Sequence, residues 1–327
     1  MEDEKNGRKK SRISDEMDSD RLSNLPDSLI YHILSLMDTK YAVRTCILSK
    51  KWTNHWTHVH SLNFNHRSFN RNFSFEKFIR HILRQRKPLN LCRLSFQSYS
   101  TSSSVENRIV NYAKSRRVEE LETNSTDLCS SISKLQTLSC IKVCNSQITK
   151  SFNLASLNTL QLSEVGIYSD DDNVDFFSGC SNLENLFLNG CRVDKNIFKI
   201  SAPRLVNLSI SSSKYCAIPK IKLVLSTPRL KFFNFSGKYV QVSCIGKFPA
   251  LDEVNIYMCP PYVRAGTKIS KQECILDVLR VAEILHNAKS LKISWNCTKG
   301  SWNGAILDPN FRNCNCEAEQ GFKGGMV

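Results

Sequence analysis

Apolar residues keep a helical spacing near the N-terminus and a different, longer rhythm through the rest of the chain. Leu25, Leu29, Ile33 and Leu36 or Met37 recur at helical intervals behind Pro26, which can start a helix without losing a needed N–H. Asp38-Thr39 breaks that helix and can cap a second through Tyr41, Val43, Ile47 and Leu48. Ser49 can cap a third, with Trp52 and Trp56 four residues apart. From there the frame Leu-x-x-Leu-x-Leu takes over, as Leu135/Leu138/Cys140, Leu157/Leu160/Leu162, Leu183/Leu186/Leu188, Leu205/Leu208/Ile210, Leu230/Phe233/Phe235 and Leu251/Val254/Ile256. Weaker copies stand at Leu91/Leu94/Phe96, Val118/Leu121/Thr123 and Ala288/Leu291/Ile293. Three copies carry proline two residues before the first apolar position, at Pro203, Pro228 and Pro249. Each copy predicts one short strand, and stacked copies share a core. Glu106 to Arg117 and Lys271 to His286 fall outside the frame and predict helices.

The pattern divides the chain into a charged disordered tail (1–19), a small helical domain (20–64), a repeat domain (65–300) and an irregular tail (301–327). About 40 residues of helix bury too little surface to stand alone without help. The surplus at Leu22, Leu25, Pro26 and Leu29 therefore either docks a partner or packs on the neighbouring domain.

Composition narrows the picture. The 327 residues carry 45 Lys+Arg against 30 Asp+Glu, a formal charge of +15, with 41% apolar residues. That apolar content excludes wholesale disorder. No run approaches the ~20 apolar residues of a membrane helix, and no apolar stretch of a secretory signal opens the chain. The chain is expected in the nucleus or cytoplasm, where its 14 cysteines are reduced, mostly buried thiols. Cys314 and Cys316 form a lone Cys-x-Cys. His55, His58, His60 and His66 cluster without acidic or thiol partners, and Asp170-Asp171-Asp172 with Asp175 lacks the glycine and glutamate of a calcium loop. No nucleophile elbow, phosphate loop, dinucleotide fingerprint or metalloprotease helix occurs. No residue is nominated as catalytic, and no metal or cofactor is expected.

Two motifs then resemble known families. Leu-x-x-Leu-Pro-Asp-x-Leu-Ile-x-x-Ile-Leu-Ser, followed by Val-Arg-Thr-Cys-Ile-Leu-Ser-Lys-Lys-Trp, resembles the plant-type F-box over residues 20–64, with its trailing Trp56 and strand-like Ser61-Leu62-Asn63-Phe64. Met37 and Cys46 depart from the family's usual leucine and serine. The later frame, stepping by 22, 26, 22, 25 and 21 residues, resembles loose plant leucine-rich repeats. Cys191 and Cys259 fall where such repeats turn. The fold implied is α/β: a three-helix F-box, then a leucine-rich-repeat solenoid with parallel strands on its concave face.

What the resemblance implies is a substrate receptor of a Skp–cullin–F-box ubiquitin ligase. Leu22, Leu25, Pro26, Leu29, Ile33, Val43, Leu48 and Trp52 would meet the Skp-family adaptor, which binds the cullin, while Ile33 and Trp52 also serve the F-box core. The repeats would hold a target protein. Alternatives are a small-molecule-dependent receptor of the same architecture, a basic nucleic-acid-binding repeat protein, and a truncated inactive paralogue. Residues 1–20 have five bases and seven acids, so the remaining 307 hold +17. Most of that span is the repeat region, which favours a target with an acidic surface over nucleic acid.

Overall fold

The computed structural model describes residues 22, 24–99, 101–171, 174–194, 197–211, 221–237, 240–244, 251–258, 285 and 287–295. Both predicted tails, the Lys271–His286 helix apart from Leu285, Cys259, Cys314, Cys316 and the Pro249 lead-in lie outside these residues. The chain divides into two compact units, Met1–Val59 and His60–Val327.

In the first unit the Pro26 carbonyl accepts from Leu29 N and Ile30 N at 3.0 and 3.1 Å and opens α1 (Asp27–Ser35). The Asp38 side chain caps α2 (Thr39–Arg44) by accepting from Lys40 N at 2.8 Å, as its place ahead of the helix predicts. The chain then tightens into a 3-10 turn at Thr45–Ile47. The third expected helix is instead two 3-10 turns, Lys50–Trp52 and His55–His58, and Ser49 makes no side-chain cap. Thr, Asn, His and Trp fill this stretch, all weak helix formers that leave little to sustain i→i+4 bonding. Trp52 and Trp56 are nevertheless buried. The Trp52 indole donates to Leu22 O at 3.2 Å and Lys51 Nζ to Leu25 O at 2.5 Å, so this segment ties down the residues ahead of α1.

The second unit is built on a ten-stranded, wholly parallel sheet. Its strands, in spatial order, are β1 (Ser61–Asn65), β2 (Arg93–Gln97), β3 (Glu120–Thr123), β4 (Cys140–Cys144), β6 (Thr159–Ser163), β8 (Asn185–Asn189), β11 (Asn207–Ser211), β13 (Phe232–Gly237), β15 (Glu253–Met258) and β16 (Ser290–Trp295). Two smaller parallel ladders run alongside: β5 (Gln147–Ile148), β7 (Gly166–Ile167) and β9 (Arg192–Val193), and β10 (Ile197–Ser201), β12 (Ile221–Ser226) and β14 (Val240–Cys244). The second and fourth positions of each main strand point inward and stack in register. Leu62 pairs with Leu94, Ile141 with Leu160, Leu186 with Leu208 and Phe233 with Val254. Period-2 alternation buries one side of the main strands and leaves the other open, except in β2, where Ser95 between the inward Leu94 and Phe96 is buried as well. Thr123 is the inward polar exception, and its hydroxyl accepts from Ser125 N at 3.0 Å.

One frame is out of phase. The strand expected at Leu135/Leu138/Cys140 is Cys140–Cys144, with Ile141 and Val143 inward, so the frame is Leu138/Ile141/Val143. The reason is a recurring i→i+3 turn ahead of the strands, Leu138 N to Leu135 O, Leu157 N to Leu154 O, Leu183 N to Cys180 O and Leu205 N to Ala202 O. Its first residue is buried in each case, so an apolar residue three places early mimics the frame. Pro203 and Pro228 occupy the second position of this turn, where a fixed φ near −65° suits it. The sheet also begins one strand sooner than the repeat rhythm implies, with Val59, Leu62 and Phe64 in frame.

Helices cover the inner side of the first strands. α3 (Asn72–Gln85), absent from the sequence reading, joins β1 to β2 and packs Phe75 against Phe96 at 6.2 Å between ring centres. α4 (Ser103–Ser115) is the helix expected from Glu106, and α5 (Thr126–Ser131) follows β3. Directly after β4, β6 and β8, Asn145, Glu164 and Gly190 take left-handed backbones with φ of 49, 54 and 64°. Their N–H groups donate to Ser163, Asn189 and Ser211 carbonyls at 2.9, 2.7 and 2.6 Å. The sheet hydrogen bonding thus continues through the turn.

Candidate functional site

Two surfaces stand out. The first is the apolar exterior of the N-terminal unit. Leu22, Pro26, Leu29, Ile33 and Leu48 are exposed, Leu25 and Val43 half-buried, and Trp52 buried at 3%. Ile33 does not serve the core as expected, being 38% exposed. At ~100° per residue, Leu29, Ile33 and Leu36 fall within about 60° of one another, with Ile30 and Leu34 roughly 100° round. The second pair is the one buried, at 0 and 2%. α1 is therefore apolar on two faces, and the regular stripe read from the sequence is the outer one. Leu36, Tyr41 and Ile47 extend this surface, at 72, 45 and 86% exposure. The sequence reading placed these three on helices but not at a docking surface. Trp52 reaches the surface only by holding Leu22 through its indole.

The second surface is the open side of the ten-stranded sheet. Its outward positions are mostly amides and hydroxyls, linked from strand to strand. Asn207 donates to Asn185 at 2.5 Å, Asn185 to Asn158 at 3.1 Å, and Asn255 to Asn234 at 2.9 Å. A depression of about 410 Å³ lies over the ends of β11, β13, β15 and β16, where Ser209, Asn234, Asn255, Tyr257 and Lys292 stand on the open side. The ionised outward residues are Arg93, Lys142 and Lys292 against Glu120, Glu122 and Glu253, with Arg93 Nε on Glu120 Oε2 at 2.6 Å. At these outward positions the charges balance, three bases against three acids.

Elsewhere, among the described residues, no three His, Cys, Asp or Glu side chains gather in a way that could hold a metal ion. Asp175 caps a turn by accepting from Phe177 N at 3.0 Å, and His55 lies beside the Tyr31 ring at 5.3 Å. No helix among them is long and apolar enough to cross a membrane. Burial pushes the Cys129 thiol up to about 11 and the Cys191 thiol up to about 12. Both stay protonated at neutral pH, and Cys191 donates to Leu162 O at 3.5 Å from the turn after β8. With folded values above the ordinary thiol range, their contribution to stability is full below about pH 9 and drains away as pH climbs through 11 and 12. Iodoacetamide near pH 8 is expected to label exposed Cys92 well before Cys129 and Cys191, as read by mass spectrometry. Equal labelling rates in the native chain would contradict that burial.

Comparison with known proteins agrees with this geometry. An F-box domain matches residues 22–64. Over 315 residues the chain is 28% identical to an F-box/LRR-repeat protein of Arabidopsis thaliana, covering 89% of this chain and 96% of that one. It is 26% identical over 292 residues to a putative F-box/FBD/LRR-repeat protein of the same plant, covering 84% of this chain and 65% of the other. A third, an F-box/FBD/LRR-repeat protein, is 28% identical over 303 residues, with 87% and 64% covered. The N-terminal helices carry an F-box domain, and the helices with the stacked parallel sheet are together similar to F-box/leucine-rich-repeat proteins. The relatives that carry this likeness are plant proteins.

Proposed function

We propose that the chain is the target-recognition subunit of a Skp–cullin–F-box ubiquitin ligase, acting in the nucleus or cytoplasm. The observation that carries this reading is the outer stripe of α1, Leu29, Ile33 and Leu36, inside the segment that matches an F-box. A unit this small gains nothing by leaving such side chains in water unless a partner covers them. Apolar anchors entering a groove of a helical Skp-family adaptor would give a desolvated centre with a few dominant contacts. Leu22, Leu25 and Pro26 extend the stripe ahead of the helix, with Trp52 holding the Leu22 carbonyl and Lys51 that of Leu25; Val43 and Leu48 extend it behind.

The open face of the sheet then holds the target. A field of amides and hydroxyls without net charge recognises a partner by hydrogen-bond matching, since each donor or acceptor left unpaired on burial costs about 1–3 kcal/mol. The chain itself breaks no bond. It contributes proximity, raising the effective concentration of target lysines near a charged ubiquitin-conjugating enzyme.

The full chain co-expressed with a plant Skp-family adaptor and cullin is expected to co-purify with both. The Leu25→Ala/Pro26→Ala variant is expected to lose much of that binding. Failure of the wild type to capture the adaptor, or undiminished capture by the variant, would overturn the assignment.

A further inference from the structure

Much of the repeat unit's positive charge falls in one stretch that includes α3 and α4. Residues 71–117 hold eleven Lys and Arg against Glu76 and Glu106 alone, so this stretch supplies nine of the fifteen net positive charges. Both acids are engaged. Glu76 accepts from Arg80 Nη2 at 3.0 Å and from Ser102 N at 2.6 Å; Glu106 is buried and accepts from Thr101 Oγ1 at 2.7 Å. Of the bases, Arg93 belongs to the open face and Arg86 is buried.

Most of the others follow the helix period. α3 buries Phe75, Ile79 and Ile82, which leaves Lys77, His81 and Arg84 on its outer face. α4 buries Val105, Ile109, Tyr112 and Ala113, leaving Arg108, Asn111 and Lys114 outside. The two helices touch, and they run the same way because each returns the chain between neighbouring parallel strands. Their exposed cations form two adjacent ridges, flanked by Arg71, Lys87 and Arg117.

Helix dipoles account for part of this, because Arg84 and Lys114 sit in last turns where a cation is favoured. They do not account for Lys77, Arg108 or Arg71. Arg117 is more telling. It ends α4 in a left-handed backbone with φ 52°, where Val118 N donates to Ala113 O at 3.1 Å. Glycine is the residue that meets that closure without strain; arginine there holds a charge at a steric cost.

We propose that this helical surface is a second docking face, separate from the open sheet, that takes an acidic, carboxylate-rich segment of a partner protein. Exposed rings are few beside these cations: Phe73 stands one turn ahead of Lys77, His81 lies between Lys77 and Arg84, and Tyr99, ahead of α4, has the Arg67 guanidinium over its ring. A single-strand nucleic-acid reader stacks bases on such rings; a chain of carboxylates needs only the charges.

The full chain with its adaptor would be titrated against a fluorescein-labelled polyglutamate peptide, read by anisotropy. Binding is expected to weaken as ionic strength rises. It should fall by about tenfold or more in Lys77→Glu/Arg84→Glu/Lys114→Glu. The neutral set Lys77→Gln/Arg84→Gln/Lys114→Gln should lose less in the same direction, which separates lost charge from misfolding. Reversal on the open face, Lys142→Glu/Lys292→Glu, should leave affinity unchanged. Three outcomes overturn the proposal: full affinity in the helical triple, equal loss in the open-face variant, or tighter binding of a single-stranded oligonucleotide through the same residues. Adaptor co-purification is scored in the same samples, so failure of the F-box reading shows separately.

Discussion

The Leu29→Asp/Ile33→Asp double variant is expected to keep the F-box unit folded while losing adaptor binding by about a hundredfold or more. Both side chains face outward from α1, at 49 and 38% exposure, so neither substitution opens a cavity. The helix itself loses roughly 1 kcal/mol in propensity from two aspartates. At the docking surface the sign is different in scale. Each substitution removes an apolar anchor and places an unpaired carboxylate where water is excluded, and two such losses of about 1.5 kcal/mol already reach a hundredfold. Ile30→Asp makes the contrast, because Ile30 is fully buried one position along the same helix. That change should unfold the unit, not merely uncouple it. Titration calorimetry against the purified adaptor measures the first effect, and circular dichroism with thermal unfolding measures the second. A folded double variant that binds like wild type would remove α1's outer face from the docking surface.

The contrast between neighbours on one helix also shows how far the residues alone could be read. Leu25, Leu29, Ile33 and Leu36 form the cleaner helical stripe, and ordinary amphipathic reasoning turns the cleaner stripe inward. In a short helix that is apolar on two faces, periodicity cannot choose between them. The outward orientation follows only once Ile30 and Leu34 are seen buried. In the repeats, eight of the nine frames named from the sequence fell on strands because the inward positions are both apolar and regularly stepped. The slip at Leu135 has its cause in the turn ahead of the strand, which buries an apolar residue of its own, so two phases fit equally well. α3 is legible in principle, since Phe75, Ile79 and Ile82 keep helical spacing, but it lies outside the leucine-rich frame that marks the strands. The charge balance of the open face was beyond the sequence reading. It depends on which alternate residue of each strand faces out, and a whole-domain charge averages over both sides.

The largest stability loss from truncating a side chain in the repeat unit is expected from Phe177→Ala, at about 3–5 kcal/mol. Phe177 is fully buried in the turn between β7 and β8, with its ring stacked on Phe152 at 6.3 Å and edge-on to Phe198 at 6.0 Å. Phe152 belongs to the segment leading into β6, and Phe198 to β10, so one ring ties together three successive stretches of the stack. Truncation costs the transfer of the ring from water, the cavity it leaves, and two aromatic contacts worth on the order of 1 kcal/mol each within that total. Against a typical net stability of 5–15 kcal/mol, that is a large fraction. The architecture adds a second signature. Stacked repeats contact chiefly their neighbours, so weakening one junction loosens the coupling between those on either side. Urea unfolding of Phe177→Ala should therefore show a lower midpoint and also a broader or two-step transition. Phe187→Ala is the matched control, since Phe187 is a half-buried phenylalanine on the open side of β8. It should cost about 1 kcal/mol or less and leave the transition sharp. If the two variants unfold alike by circular dichroism, the Phe152–Phe177–Phe198 cluster does not join the repeats.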